Sequence, residues 1–319
     1  MNVSVLGCGR WGSFIAWYLS LKYKTVLWGR DGSENLRQLI EERTNGTVSF
    51  SEKTLITSDL DMALENDTVV ISIASQQLDR FAKQLNSAVT DDRCRRFILC
   101  MKGLEESTGR RLTEVFDSAY TKPHKTAVWV GPGHVEDFVC AIPNCMVIDS
   151  EDAELKKELA EELFSPLIRF YIGGDLMGSE VGAASKNVIG IAAGMLDGLG
   201  LTSLKGALMA RGAGEISRLI GAMGGDRLSA FGLCHLGDYE ATVFSKHSHN
   251  RAYGEAFVRG ETFDKLAEGV GTCRALMHLA KKYNTELPIC NAVYNMLFEK
   301  ADPQQTLNAL FSRDIKNEF

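Results

Sequence analysis

The chain has 319 residues, 45% hydrophobic and 24% charged, with a formal net charge of -6. That length exceeds what one hydrophobic core usually serves, so two domains are expected. The acidic balance and the lack of any basic block exclude nucleic acid or an anionic membrane surface as the main partner, so any anion site must be a local cluster of positive groups.

Asn2 to Leu6 reads as a short buried strand. No charged leader with an apolar run precedes it, and no stretch is long and apolar enough to span a bilayer. The strand runs into Gly7-Cys8-Gly9-Arg10-Trp11-Gly12 and then into the helical pattern Ser13 to Leu19. This is G-x-G-x-x-G between a strand and a helix. Gly7 permits the tight turn, Gly9 lets backbone approach a pyrophosphate, and Gly12 allows close helix-strand packing. A dinucleotide site is therefore expected at the head of the chain.

A second strand, Thr25 to Trp28, ends in Gly29-Arg30-Asp31. An acid at the strand end would read as a partner for the ribose 2′-OH, but here Arg30 comes first. Its guanidinium suits stacking on adenine or pairing with a 2′-phosphate, and Asp31 suits a turn cap. NAD and NADP both stay open on this reading.

Leu36 to Arg43 is helical, and Asn45 to Lys53 is a polar connection. Buried strands follow at Thr68 to Ile73, Arg96 to Met101, Thr126 to Val130, Met146 to Ile148 and Ile168 to Ile172, with helices around Leu78 to Leu85 and Ala153 to Phe164. Apolar runs alternating with helices indicate a parallel sheet covered on both faces. Ligands in such sheets sit at the carboxyl ends of the strands. Lys102 falls there, placed to bind a phosphate or polarise a carbonyl. The turn Gly131-Pro132-Gly133 falls there too.

From Gly178 on, strand signals vanish. Gly178 to Gly194 is almost wholly small or apolar, with Lys186 inside it. Read alone, this is either a helix whose lysine reaches out to water or a buried lysine whose ammonium form is disfavoured, which lets it act as a base near neutral pH. Further helices are expected at Ser203 to Gly221, Asp264 to Tyr283 and Pro288 to Glu299, with a polar segment from Leu236 to Arg251 between them. That segment is dense in groups that hydrogen-bond a polyhydroxylated, phosphorylated ligand. His247 and His249 lack acidic or thiol ligands at matching spacing, so no metal site is expected. The eight cysteines include no Cys-x-x-Cys pair and most lie in apolar surroundings, which suits reduced thiols in a cytosolic protein.

With these pieces in order, the chain resembles the soluble NAD(P)-dependent glycerol-3-phosphate dehydrogenase family, which interconverts dihydroxyacetone phosphate and sn-glycerol 3-phosphate. The resemblance rests on Gly7 to Gly12 with a tryptophan before the last glycine, Leu27-Trp28-Gly29-Arg30, Lys102-Gly103-Leu104-Glu105, Gly131-Pro132, Lys186-Asn187, Gly237-Asp238 with Thr242, Ser248-x-Asn250-Arg251, and Glu268-Gly269. It runs from the first strand to about Thr272. It implies an α/β Rossmann-type N-terminal domain with a parallel sheet, residues 1-177, and an all-α C-terminal substrate domain, residues 178-319.

The resemblance also implies roles. Lys186 matches the general acid/base, with Lys102 and Asp238 beside it in the active site. Lys102, Gly131, Gly133, Thr242, Ser248, His249 and Asn250 match substrate-binding positions. Gly7, Gly9, Arg10, Trp11, Gly12, Arg30, Lys102, Val135, Asn250, Leu266 and Glu268 match positions around the NAD or NADP cofactor. A cytoplasmic homodimer acting on a small phosphorylated polyol is implied as well.

Two positions depart from the family pattern. Gly133 stands where the family has a serine. His249 stands where it has an arginine that holds the substrate phosphate, and an imidazole offers at most two donors and is only partly charged at neutral pH. Losing a bidentate clamp would cost about 2 to 4 kcal/mol of binding. These departures leave two further readings: a dehydrogenase of another polyol phosphate or related hydroxy compound, and a non-catalytic cofactor-binding protein.

Overall fold

The computed structural model describes residues 2–315. The chain divides into two compact units, one formed by Met1–Lys102 with Arg111–Glu180, the other by Gly103–Arg110 with Val181–Phe319.

The first unit alternates strands and helices in chain order: β1 (Asn2–Leu6), α1 (Arg10–Ser20), β2 (Lys24–Trp28), α2 (Glu34–Glu42), β3 (Leu55–Thr57), α3 (Leu60–Ala63), β4 (Thr68–Ile71), α4 (Leu78–Ala88), β5 (Arg95–Leu99), α5 (Leu112–Ala119), β6 (His124–Val130), α6 (Val135–Val139), β7 (Asn144–Asp149), α7 (Ala153–Leu163) and β8 (Ile168–Ile172). They make one eight-stranded sheet in the order β3-β2-β1-β4-β5-β6-β7-β8. The reversal of winding between β1 and β4 puts the carboxyl ends of those strands at a switch point, where such sheets take their ligands. Val3, Val5, Val70, Ile98, Trp129 and Ile148 line the core with Phe14 and Ile15 of α1.

The sheet is mainly parallel, as expected, with one antiparallel pair. β7 runs antiparallel to β6, and β8 runs parallel to β7. The physical reason lies in the connections. α6 has five residues, about 7 Å of helix, against about 20 Å for the strand it would have to run back along. α7 has eleven residues, enough for a crossover, and Asp152 caps it by accepting from Glu154 N and Leu155 N. Short β3, α3 and α5 were absent from the sequence reading, because runs of three to eight residues carry too little periodicity to stand out.

The second unit is helical among its described residues: most of α8 (Leu176–Gly198), then α9 (Lys205–Met223), α10 (His249–Arg259), α11 (Gly269–Lys282), α12 (Pro288–Phe298) and α13 (Pro303–Phe311). Short 3-10 turns occupy Thr202–Leu204, Arg227–Phe231 and Leu236–Asp238, and a π-helical turn covers Glu240–Phe244. No helix among the described residues is long and apolar enough to cross a membrane.

α8 is buried on every side from Gly178 to Leu196, which is why its sequence lacks a polar face. Its glycines have a second cause. A Cβ on Gly194 would run into the carbonyl of Arg251, and one on Gly254 into the carbonyl of Ile191. The backbones of α8 and α10 thus touch directly, which only residues without side chains allow. Of the eight cysteines, all free, five are buried, Cys145 is half-buried, and Cys94 and Cys140 are exposed.

Candidate active site

In the first unit the glycine-rich turn joins β1 to α1. Gly7 has φ 118, and a Cβ there would strike the Ser72 carbonyl just past β4. A Cβ on Gly12 would strike the carbonyl of Gly7. Gly9 differs, because nothing lies within 4 Å of where its Cβ would point. The turn is therefore closed on its inner side and open at Gly9, at the N-terminus of α1. That cradle fits the pyrophosphate of a dinucleotide. Arg10 is exposed and ion-pairs with Glu136 of α6. Trp11 packs on Phe14 and Phe138, with ring centroids 5.1 and 6.4 Å away.

Arg30 follows β2 and is exposed. Asp31 accepts from the N–H of Gly32 at 3.0 Å, so its carboxylate caps its own turn. Lys102 lies beyond β5 and donates from Nζ to the carbonyl of Gly131 at 2.6 Å. This bond ties the lysine to the turn after β6. Gly133 has φ 147, and a Cβ there would lie 2.6 Å from Cζ of Phe138. Val135 opens α6 and is buried.

In the second unit three of the expected residues meet. Lys186, 8% exposed, lies in the buried middle of α8, which rules out an amine reaching out to bulk water. Its Nζ donates to Thr242 Oγ1 at 2.7 Å and stands 3.1 Å from Asp238 Oδ2. Thr242 Oγ1 passes its own hydrogen to the carbonyl of Asp238 at 2.7 Å. The Asp238 carboxylate, 1% exposed, offsets the cost of burying the ammonium. Gly190 makes the arrangement fit: it lies one turn beyond Lys186, and a Cβ there would be 2.5 Å from Cγ2 of Thr242.

Asn250 sits over the same face of α8. Its Nδ2 donates to Asn187 Oδ1 at 3.0 Å, and its Oδ1 accepts from the N–H of Gly269 at 2.9 Å. Ser248 is the N-cap of α10, its hydroxyl accepting from Arg251 N. His249 opens the helix, half-buried, its ring 6.3 Å from that of Phe263. Arg251 does not stand in for an arginine at position 249. Its guanidinium binds Asp197, Glu255 and the carbonyl of Ser245. Glu268 precedes α11 and its carbonyl accepts from Thr272 Oγ1, while Leu266 is 62% exposed.

A model described as the NAD-dependent glycerol-3-phosphate dehydrogenase N-terminus matches residues 2–156, and one described as the C-terminus of the same enzymes matches residues 175–308. The chain is 35% identical to glycerol-3-phosphate dehydrogenase [NAD(P)+] of Clostridium botulinum, covering 100% of this chain and 99% of that one. It is 33% identical to the protein of the same name from Prosthecochloris aestuarii, covering 100% of both. The chain belongs to the NAD-dependent glycerol-3-phosphate dehydrogenase family.

A solved glycerol-3-phosphate dehydrogenase from Coxiella burnetii superposes with a TM-score of 0.89 at 28% identity, covering 98% of this chain and 99% of that one. Within the glycerol-3-phosphate dehydrogenase frame, the sequence reading assigned no role to Asn187, His235 or Tyr239. Yet His235 buttresses the lysine cluster. Its Nδ1 faces the carbonyl of Gly182 at 2.9 Å, which can only accept, so Nε2 accepts from the Tyr239 hydroxyl at 2.6 Å. Burial above all holds this imidazole down at about 4, against the pull of the Gly182 carbonyl and Asp238. The one signal in the sequence was its position three residues before Asp238.

Proposed function

We infer that this protein is an NAD(P)-dependent oxidoreductase that interconverts sn-glycerol 3-phosphate and dihydroxyacetone phosphate, with Lys186 as general acid/base. Membership of the family over the full chain carries the activity. The observation that carries the mechanism is the buried contact of Lys186 with Thr242 and Asp238.

When bound, the nicotinamide supplies or accepts the hydride. The chain's own residues handle binding and the proton. During oxidation Lys186 takes the proton of the secondary hydroxyl, and during reduction its ammonium returns one to the carbonyl oxygen. Thr242 and Asp238 hold Nζ and fix its direction. Lys102 serves the substrate too, polarising a carbonyl or binding a phosphate. Asn250 spends one N–H on Asn187 and keeps the second for substrate. Gly131 and Gly133 shape the turn beside Lys102, and Ser248 and His249 supply the start of α10 for the phosphate. Gly7, Gly9 and Gly12 form the dinucleotide cradle. Arg10, Trp11, Arg30, Val135, Leu266 and Glu268 complete the cofactor contacts.

We divide these roles between a dinucleotide-binding domain, residues 1-177, and a substrate domain, residues 178-319. A cytoplasmic homodimer completes the reading. Eight free thiols support the compartment, and Leu228, Phe231 and Phe311, exposed on the helical unit, suit a subunit contact.

One assay tests the activity. The protein is mixed with NADH or NADPH and dihydroxyacetone phosphate, and absorbance is followed. Rapid oxidation of the nicotinamide is expected. The engagement of Arg251 elsewhere favours one second reading, a different polyol phosphate as substrate. Cofactor binding with turnover only on such a compound would establish it, and binding with no turnover on any would leave a cofactor-binding protein.

A further inference from the structure

A group of charges lies just outside the lysine cluster, at the meeting of α8, α9 and α10. Asp197, in the last turn of α8, accepts from Lys205 Nζ at 2.6 Å on Oδ2 and from Thr202 Oγ1 at 3.0 Å on Oδ1. The guanidinium of Arg251 binds the same Oδ2. Both cations also reach backbone. Lys205 Nζ donates to the carbonyl of Val243 at 3.0 Å, and Arg251 Nε donates to the carbonyl of Ser245 at 3.1 Å. Those carbonyls lie at the end of the π-helical turn Glu240–Phe244, where a helix leaves its last acceptors unsatisfied. π turns are rare and concentrate at functional sites. This one carries Thr242, the hydroxyl that receives Lys186.

We propose that Asp197 is a positioning residue for the reaction: by holding Lys205 and Arg251 it fixes the carbonyls of Val243 and Ser245, and through them Thr242 against Lys186. The proposal rests on the reading of Lys186 as the proton-transfer group. Arg251 keeps a second carboxylate, Glu255, at 3.2 Å. Lys205 is buried and has Asp197 as its only carboxylate partner among the described residues. The coupling therefore runs mainly through Lys205. Burial works against the charge of Asp197, but the hydrogen bonds from Lys205, Thr202 and Arg251 outweigh it and hold the carboxyl below its usual range. Without that charge, two cations would face each other and withdraw from the carbonyls they hold.

The test is Asp197→Asn in the full-length protein. A roughly 10- to 100-fold fall in kcat is expected, with nicotinamide cofactor affinity unchanged, because small misplacements of a reacting group are costly. In a Thr242→Val background the same change is expected to add little, since both act through one group. A lowered melting temperature with unchanged kcat, or full additivity with Thr242→Val, would overturn the proposal. If Asp197→Asn does not fold, Lys205→Arg and Lys205→Met decide instead. The arginine should keep kcat while the methionine loses it, and equal kcat in both defeats the idea. Lys186→Ala separates the two levels. Substantial turnover in that variant sinks the reading of the base, whereas a dead Lys186→Ala beside a normal Asp197→Asn sinks only the positioning role.

Discussion

Gly133 and Phe138 compete for one space: a Cβ on Gly133 would lie 2.6 Å from Cζ of the Phe138 ring. That ring is buried and stacks on Phe14 at 5.0 Å, so it cannot step aside without disturbing α1. Gly133→Ser, which would restore the hydroxyl of the family pattern, is therefore expected to destabilise the protein by about 1 to 3 kcal/mol, from overpacking and from a φ that L residues avoid. Urea denaturation of the two proteins measures it. Equal midpoints would mean that the phenyl ring yields freely.

Lys186→Ala should lower kcat on the order of 100- to 10,000-fold. Cofactor affinity should stay nearly unchanged, because the lysine belongs to a cluster remote in sequence from the glycine turn. Steady-state kinetics with a separate cofactor titration checks both. Near-normal turnover would remove Lys186 as the base.

His249→Arg should lower the KM for dihydroxyacetone phosphate about tenfold or more, since a guanidinium is always charged and grips a phosphate with two bonds at once, whereas an imidazole cannot make that bidentate pair. An unchanged KM would place the phosphate elsewhere.

Arg30→Ala should weaken NADPH about tenfold and NADH much less, because a 2′-phosphate has lost its counter-charge. Equal losses on both cofactors would instead indicate stacking on adenine.

His235 makes stability depend on pH. Its folded value near 4 lies below the ordinary 6.5, so the unfolded chain takes up a proton that the native site refuses. The unfolded state binds more protons in that window, and stability falls as pH drops from about 6.5 to about 4, by up to roughly 3 kcal/mol. Above pH 7 the effect is flat. Denaturation of the native protein and His235→Gln at pH 7 and pH 5 should show a smaller pH difference in the variant. The same slope in both would assign it to other groups.

Much of this was legible in the chain. β1 and β8 matched their expected spans, and α7, α9 and α12 fell within two residues of theirs, because long apolar runs and a glycine turn after a first strand carry local signals. α10 was hidden. Its first residues, His249 to Arg251, fall in the polar segment where no helix is expected, and it is helical because Ser248 caps it and Gly194 and Gly254 let it lie flat on α8. The antiparallel β7 was hidden as well, since strand direction depends on whether a connection is long enough to return, not on the strand's own residues.

By itself the sequence determined the order of motifs, the Rossmann-type half, the helical half and the identity of Lys186, Asp238, Thr242 and Asn250 as residues to watch. All of that follows from local propensity, spacing and a family pattern. Only the tertiary structure decided what those side chains touch. Lys186 meets Thr242 because Gly190 leaves room, Arg251 is spent on Asp197 and Glu255, and Gly133 yields its space to Phe138. Contacts of this kind join residues far apart in the chain, and no periodicity records which distant group will fill the space a glycine leaves.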